Sequence, residues 1–252
     1  MSTHSYSQEI IWIIGASSGI GAALARELAA RGATLALSAR RKEALETLTQ
    51  SLGAGHQIFP LDVAHKEEVT ATARAIHSSY GRIDRVIFMA AAYTPMKLSA
   101  LDMAATKQMI EVNLLGAFHV VEALLPILTQ QGRGQLALCG SVAGYTGLPG
   151  GQPYSATKAG IINLAESLRA ELPRSIDVKL ISPGFVKSEL TDKNEFKMPM
   201  IITAERAASA IADGLRGRGF EIHFPKIFTR VLKLLRALPY AVSLRITPHF
   251  NA

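Results

Sequence analysis

The chain has 252 residues, and 48% of them are hydrophobic, which is enough to bury a sizeable core in one compact domain. The single cysteine, Cys139, excludes an internal disulfide and fits a reduced cytoplasm. Residues 226–252 carry five of the seven net positive charges, and aromatic residues make up only 6% of the chain. Because there is also no zinc-finger spacing and no RNA-recognition signature, this distribution argues against nucleic-acid binding.

The N-terminal residues predict neither a targeting signal nor a membrane-spanning segment. Residues 1–9 lack the basic start and the apolar run of a secretory signal. The uncharged run from Ile10 to Ala25 is broken by three glycines and two serines, so it does not predict a spanning helix. We therefore expect a cytoplasmic protein.

The first predicted elements are a strand, a glycine-rich turn and a helix. Residues 9–14 form an apolar run suited to a strand buried on both faces, and residues 22–31 are good helix formers. Between them, Gly15, Gly19 and Gly21 let the backbone turn sharply and approach a ligand. The helix N-terminus offers unpaired N–H groups to a pyrophosphate. An ordinary glycine-rich turn is the alternative, but this placement favours dinucleotide binding.

The end of the second predicted strand, residues 34–38, indicates the cofactor. An acidic residue near this point would accept the ribose 2′-hydroxyl of NAD, whereas arginine accommodates a 2′-phosphate. Here Ala39 is followed by Arg40 and Arg41, which favours NADP(H). The alternative is that the two arginines are solvated residues that open the next helix.

The remaining elements continue the alternation of strands and helices. Further strands are predicted at 57–61, 85–90, 136–139 and 177–181, with the last at 220–224, and helices at 65–80, 100–130 with a bend near Gly116, and 154–172. This order predicts an α/β fold, a single-domain doubly wound parallel sheet of the Rossmann type over residues 1–225. Ligands of such sheets bind beyond the carboxyl ends of the strands, so one crevice is expected to collect Gly15, Arg40, Asp62, Ala90, Ser141 and Gly184.

Candidate chemistry lies between Ser141 and Lys158. Pro153 suits a helix start, which places Tyr154 in the first turn and Lys158 on the same face one turn later. A lysine cation and the positive end of a helix both favour a phenolate, so Tyr154 is predicted to have a lowered pKa and to act as an acid or base. The Ser141 hydroxyl, at a strand end, is placed to bond a substrate carbonyl. A chance Tyr/Lys pair is the alternative.

Taken together, these motifs resemble the short-chain dehydrogenase/reductase family over residues 10 to about 224. The glycine spacing is that of the family, although Ile14 stands where a threonine is usual. The resemblance implies a catalytic tetrad of Asn113, Ser141, Tyr154 and Lys158. It implies no metal, a homo-oligomer, and cofactor contacts from Gly15, Ser17, Ser18, Gly19, Ile20, Gly21, Arg40, Arg41, Asp62, Val63, Ala90, Tyr154, Lys158, Pro183, Gly184, Val186 and Ser188.

One motif departs from the family pattern. After the fourth strand the family usually has Asn-Asn-Ala-Gly, whereas this chain has Phe88, Met89, Ala90 and Ala91. The asparagine that normally braces the central strands is therefore missing. Either cofactor affinity is weakened, or Met89 packs against apolar neighbours instead.

The implied reaction is hydride transfer between NADP(H) and a carbonyl or alcohol. Tyr154 would protonate the oxygen, Ser141 would hold it, Lys158 would grip the nicotinamide ribose, and Asn113 would position a water that feeds protons to Lys158. Two other classes stay open. A dinucleotide-binding sensor or scaffold would keep the glycine turn but lose the tetrad, and a peripheral membrane interaction protein would depend on the C-terminal tail alone.

The predicted substrate pocket is apolar. Its candidate residues are Tyr93, Pro95, Met96, Tyr145, Leu148 and the run Phe196, Lys197, Met198, Pro199, Met200 and Ile201. Their methionine-rich character indicates a hydrophobic carbonyl or alcohol. Alternatively, Met198 to Ile201 simply docks a lid helix.

The C-terminal extension, residues 226–252, begins with a predicted basic amphipathic helix over 226–238. Its basic residues recur every three or four positions, at Lys226, Arg230, Lys233 and Arg236. Apolar residues fill the remaining arc, at Ile227, Phe228, Val231, Leu234, Leu235 and Leu238. Such a helix can lie on an anionic membrane surface, pack against a partner subunit, or cover its own domain near the substrate cleft.

Overall fold

The computed structural model describes residues 5–147, 149–193 and 198–248. In this part of the chain, seven strands form one parallel sheet in the order β3-β2-β1-β4-β5-β6-β7. The strands are β1 (Ile10–Ile14), β2 (Thr34–Ser38), β3 (Gln57–Ile58), β4 (Arg85–Phe88), β5 (Gly134–Cys139), β6 (Ile176–Pro183) and β7 (Glu221–Phe224). The predicted doubly wound α/β sheet is confirmed.

Helices cover both faces of the sheet. They are α1 (Gly19–Ala30), α2 (Lys42–Leu52), α3 (Lys66–Tyr80), α4 (Met103–Ile110), α5 (Gly116–Gln131), α6 (Tyr154–Glu171), α7 (Ala204–Arg216), α8 (Lys226–Ala237) and α9 (Tyr240–Ile246). Successive residues of β1 point into different cores: Trp12 packs with α3, α5 and α6, whereas Ile13 packs with α1 and α7. Because both faces are buried, the strands are continuous apolar runs.

The third strand is shorter than the predicted 57–61. Its backbone still follows β2, since Phe59 N–H donates to Leu37 O at 2.8 Å and Leu61 N–H donates to Ala39 O at 3.2 Å. Pro60 lies between them and has no N–H to donate, so regular pairing ends at Ile58.

The predicted helix at 100–130 is a continuous helical segment over Met103–Gln131. Its irregularity is a π-helical turn at Glu111–Leu115, just before the predicted bend at Gly116. By length and composition alone, this is the one helix among the described residues that qualifies as a membrane span. Val120, Leu124 and Leu128 are fully buried against the sheet, so here the apolar composition belongs to a core helix.

The predicted tail helix corresponds to α8. Its inner side packs on the same core as the central sheet, through Leu232 and Leu235, with Phe228 partly buried beside them. Covering its own domain therefore accounts for one side of this helix.

Candidate active site

A cavity of about 550 Å³ opens at the carboxyl ends of the strands. Its walls are the glycine turn after β1, the ends of β2, β4 and β5, the first turn of α6, and the segment after β6. All the predicted cofactor-contact residues line it, namely Gly15, Ser17, Ser18, Gly19, Ile20, Gly21, Arg40, Arg41, Asp62, Val63, Ala90, Tyr154, Lys158, Pro183, Gly184, Val186 and Ser188. Ser141 also lines the cavity, whereas Asn113 does not.

The glycine turn is pressed between β4 and α1. Gly15 has φ +95°, and a Cβ built there would lie 2.6 Å from Ala90 N. A Cβ at Gly21 would lie 2.1 Å from Gly15 O. Neither position has room for a side chain, so glycine at both lets β4 and α1 pack closely against the turn. The side chain of Ser18 does not cap α1, and the amides of the first helical turn suit a pyrophosphate.

Two arginines stand at the end of β2. Arg40 Nη1 lies 3.8 Å from Asp62 Oδ2, and the Arg40 side chain is 61% exposed. Arg41 Nη2 lies 3.4 Å from Ser17 Oγ, and its Nη1 lies 3.5 Å from Glu189 Oε2. Exposed ion pairs of this length hold their partners only weakly, so both guanidinium groups can turn toward an anion in the cavity.

Met89 fills the position where the family pattern has an asparagine. Its N–H donates to Ile14 O at 2.7 Å, and its partly buried side chain packs against the apolar core on the α1 side of the sheet. Of the two alternatives for this departure from the family pattern, the structure shows the one in which Met89 packs against apolar neighbours. The flexible thioether adapts to an irregular apolar space.

The α6 helix begins at Tyr154, with Pro153 at the N-cap and not inside the first turn as predicted. The Tyr154 phenol and the Ser141 hydroxyl line the same cavity. Burial raises the pKa of Tyr154 well above its ordinary value, and the nearby Ser141 hydroxyl offsets only part of this rise. The predicted lowering of this pKa is therefore wrong for the structure as it stands, because desolvation outweighs the stabilisation of the phenolate.

Lys158 is only 1% exposed. Its Nζ donates to Cys139 O at 2.8 Å and lies 5.5 Å from the centroid of the Tyr154 ring. Burial lowers the pKa of this ammonium group. An ammonium has three donors, so the bond to Cys139 leaves two for other partners.

Asn113 is fully buried in the π-helical turn. Its Oδ1 accepts from Ala92 N–H at 2.6 Å, and its Nδ2 donates to Ala92 O at 2.9 Å and to Thr157 Oγ1 at 3.1 Å. Both amide hydrogens are thus used. The side chain links the segment after β4 to α6, next to Lys158. It therefore supports the wall of the cavity without lining it.

Ser141 is held in place by a short 3₁₀ turn, Val142–Gly144. Its Oγ accepts from Ala143 N–H at 3.1 Å, while Ser155 Oγ donates to Ala143 O at 2.6 Å. These bonds fix the segment after β5 on the first turn of α6, which places the serine hydroxyl in the same cavity as Tyr154.

The substrate side of the cavity differs from the prediction. Tyr93 lines it, with its ring centroid 5.1 Å from that of Tyr154 in an edge-on arrangement. Pro95 and Met96 do not line it. Tyr145 is wrongly assigned to the pocket, because it is only 6% exposed and its hydroxyl donates to the Glu221 carboxylate inside the protein.

Other parts of this wall were missed or lie outside the described residues. Leu148, Phe196 and Lys197 are outside them, and Met200 and Ile201 are half exposed at 51% and 43%. Lining residues that the sequence did not indicate include Thr94, Gln108, Glu189, Leu190 and Thr191. Three of these directly follow Ser188 in the chain, so proximity to a predicted contact was the available signal. Among the described residues, no cluster of three His, Cys, Asp or Glu side chains suits a metal ion.

A doubly wound parallel sheet with a glycine turn at its first crossover is the architecture of a dinucleotide-binding protein, and here Ser141, Tyr154 and Lys158 line the same cavity as that turn. A family model described as short chain dehydrogenase matches residues 9–198. An uncharacterized oxidoreductase of Mycobacterium tuberculosis is 38% identical over 213 residues, covering 82% of this chain and 84% of the relative. One from Listeria monocytogenes is 37% identical over 220 residues, covering 81% and 89%.

Solved structures agree in fold. A short chain dehydrogenase/reductase from Burkholderia phymatum, in complex with NAD, superimposes with a TM-score of 0.84 at 20% identity over 99% of each chain. An actinorhodin polyketide ketoreductase variant with NADPH gives a TM-score of 0.77 at 25% identity, covering 86% of this chain and 95% of its own. The chain belongs to the short-chain dehydrogenase/reductase family of oxidoreductases.

Proposed function

We propose that the protein interconverts a carbonyl and an alcohol, using NADP(H) and Tyr154 as the acid and base. The observation that carries this proposal is that Ser141, Tyr154 and buried Lys158 line the same cavity as the glycine turn. A sensor or scaffold would need none of these three side chains.

The glycine turn fits a dinucleotide, because it lines the cavity and leads into the first turn of α1, whose N-terminal amides are not capped by the Ser18 side chain. When bound, the nicotinamide cofactor supplies the hydride for reduction or accepts it in oxidation. Lys158 has donors left for the ribose hydroxyls, and Arg40, Arg41 and Ser17 would hold a 2′-phosphate. The absence of an acid at Ala39 supports NADP(H) over NAD(H).

In reduction, the Tyr154 hydroxyl transfers its proton to the substrate oxygen as the carbonyl carbon becomes a C–H centre. Ser141 Oγ holds that oxygen by a hydrogen bond. The Lys158 ammonium stabilises the phenolate that remains until it is protonated again. The raised pKa of Tyr154 keeps the phenol neutral and ready to donate near pH 7. Asn113 positions α6, and its backbone in the π-helical turn would hold the water that feeds Lys158.

The substrate is proposed to be an apolar molecule, since the ring of Tyr93 packs edge-on against Tyr154 beside the proposed reaction centre. Exposed Ile110, Leu115 and Phe118 along α4 and α5 support a homo-oligomer built on this helical segment.

A panel of aldehydes, ketones and alcohols, assayed with NADPH, NADH and their oxidised forms, tests this function. We expect turnover of apolar carbonyls with NADPH as the preferred donor. Preference for small polar carbonyls would reject the proposed substrate class, and an absence of turnover with every pair would favour a sensor or scaffold.

A further inference from the structure

The outward sides of α8 and α9 form an apolar surface. Of the 15 large hydrophobic side chains that are exposed among the described residues, seven lie within residues 226–246. We call these seven the C-terminal patch, which consists of Ile227, Val231, Leu234, Tyr240, Val242, Leu244 and Ile246. A concentration of this kind on a short stretch of surface marks an interaction site.

The short helix α9 has polar residues on its inner face and apolar residues on its outer face. Its inward positions are small and polar, with Ser243 and the following Thr247 each only 5% exposed. Its outward positions are apolar, with Tyr240 81% and Leu244 61% exposed. A helix on an aqueous surface normally turns its apolar stripe toward the core. The pattern of α9 therefore suits an apolar medium on its outer side.

The longer helix α8 has two apolar sides. The inner side is used by the protein's own core, as described above. The outer stripe, Ile227, Val231 and Leu234, follows helical spacing and stays exposed at 67%, 52% and 67%. Packing against its own domain leaves this second stripe unexplained.

The charged residues of the segment itself are all positive. The segment contains no acidic residue, and Lys226, Arg230, Lys233, Arg236 and Arg245 are its basic residues. Among the described residues, only Lys233 of these five has a carboxylate partner, Glu221. In a symmetric contact between two copies, the same patch would face itself and bring like charges together. Anionic lipid headgroups instead satisfy the cations, while the acyl boundary accepts the apolar side chains.

We propose that the C-terminal patch docks on the surface of an anionic lipid bilayer. The apolar side chains enter the boundary between headgroups and acyl chains, Tyr240 lies at the level of the headgroups, and the free basic residues contact lipid phosphates. The surface is formed in advance, because Phe228 packs against Phe185 with ring centroids 5.6 Å apart and anchors α8 to the domain. Docking therefore needs no folding of this helix.

Vesicle flotation of the full chain tests the proposal. The probes are vesicles of phosphatidylcholine alone and vesicles in which about a third of the lipid is phosphatidylglycerol, each at low and at high salt. We expect the protein to float with the anionic vesicles at low salt and to remain largely unbound with the neutral ones. Leu234→Glu, Leu244→Glu and Arg230→Glu should each reduce the bound fraction several-fold.

The matched control is Leu98→Glu, because Leu98 is also 67% exposed but lies outside the patch. It should float as the unaltered protein does. Circular dichroism checks that each variant is folded. Because Leu234→Glu and Leu244→Glu change two separate helices, the test still holds if one of these variants fails to fold. Point variants are preferred to a chain ending at Pro225, since that truncation removes Leu232 and Leu235 from the core.

Three results would overturn the proposal. These are equal binding to neutral and anionic vesicles, no binding to either, or an equal loss for Leu98→Glu. Light scattering in solution distinguishes a membrane-docking surface from a subunit contact. If Leu234→Glu splits an oligomer into smaller species and the unaltered protein ignores vesicles, the patch is a subunit contact.

Discussion

At the scale of single residues, the cavity works through groups whose environment changes their protonation. Tyr154 is partly buried in the cavity that Ser141 also lines, and burial raises its pKa. Lys158 is buried beneath it, and burial lowers the pKa of the ammonium group. A neutral phenol near pH 7 suits the proposed role of Tyr154 as the proton donor in carbonyl reduction.

The raised pKa of Tyr154 predicts opposite pH dependences for the two directions. Reduction needs the phenol, so its kcat/KM should stay level through neutral pH and fall only in the alkaline range. Oxidation needs the phenolate, so its kcat/KM should rise roughly tenfold per pH unit below that pKa. Initial rates from pH 6 to 10 in both directions check this. A reduction rate that climbs with pH would contradict the assignment.

Arg40 is predicted to set the cofactor preference. Arg40→Asp removes a cation from the proposed 2′-phosphate site and adds an acid that can accept the ribose hydroxyl. The ratio of kcat/KM for NADPH to that for NADH should fall by roughly 10- to 100-fold, the size of about 1.5–3 kcal/mol for a charged hydrogen bond. Arg133→Asp, the same charge change on an exposed residue before β5, is the control. An unchanged ratio would remove Arg40 from the account.

Which site residues the sequence could predict depends on how local their signals are. The glycine turn, the arginines after β2 and the Tyr154 helix are each written in a few consecutive residues, and all of them line the cavity. The prediction that Tyr145 lines the substrate pocket is wrong because the environment of this residue depends on Glu221, which lies 76 residues away in the chain. Gln108 was missed because only the tertiary fold brings α4 to the cavity.

At the scale of elements, apolar runs predicted the strands well because strands buried on both faces carry continuous hydrophobic residues. The helix α7 was not predicted, although it packs closely on α1 and is capped by Thr203 Oγ1, which accepts from Arg206 N–H at 3.3 Å. Its buried residues recur at helical spacing, at Ala207, Ala208, Ile211, Ala212 and Leu215. The sequence therefore carries a signal for this helix that the prediction missed.

Three elements meet at Glu221. Its carboxylate accepts hydrogen bonds from Tyr145, in the segment after Ser141, and from Lys233 of α8. Burial alone would raise the pKa of Glu221, but the hydrogen bonds from Lys233 and Tyr145 outweigh it and lower the pKa below 4.5. This carboxylate therefore links β7 with the tail and with the segment that carries the serine.

Replacing this carboxylate should destabilise the protein in a pH-dependent way. A lowered folded-state pKa contributes stability above the unfolded value, and that stability is lost as the pH falls through the folded value. Glu221→Gln should lower Tm at pH 7 by a few degrees, from about 1–3 kcal/mol at about 2–4 °C per kcal/mol. The difference from the unaltered protein should shrink below about pH 4.5.

Thermal melts followed by circular dichroism between pH 3 and 8 measure this difference. Glu122→Gln is the matched control, because Glu122 is 59% exposed in its pair with Lys66 and such surface pairs contribute little. If both variants melt alike at pH 7, Glu221 does not hold the three elements together.

At the scale of the whole molecule, one sheet gathers residues that are far apart in the chain. Gly15, Ser141 and Gly184 come from the ends of three different strands and share one cavity. In the C-terminal tail, by contrast, the relevant residues are close together in the chain. Five of the seven net charges and seven exposed apolar side chains lie in this one segment. The sheet explains the proposed chemistry, and the tail explains the proposed docking, so each can be tested without the other.

The central claim is that Tyr154 transfers the proton during reduction of a carbonyl. The most direct test compares Tyr154→Phe with the unaltered protein, measuring kcat for the best carbonyl found with NADPH and the Kd of NADPH by fluorescence titration. We predict that kcat falls by about 10²- to 10⁴-fold, the usual contribution of a general acid, while Kd changes by less than about twofold. Turnover retained within about tenfold, or turnover and NADPH binding lost together, would contradict this account.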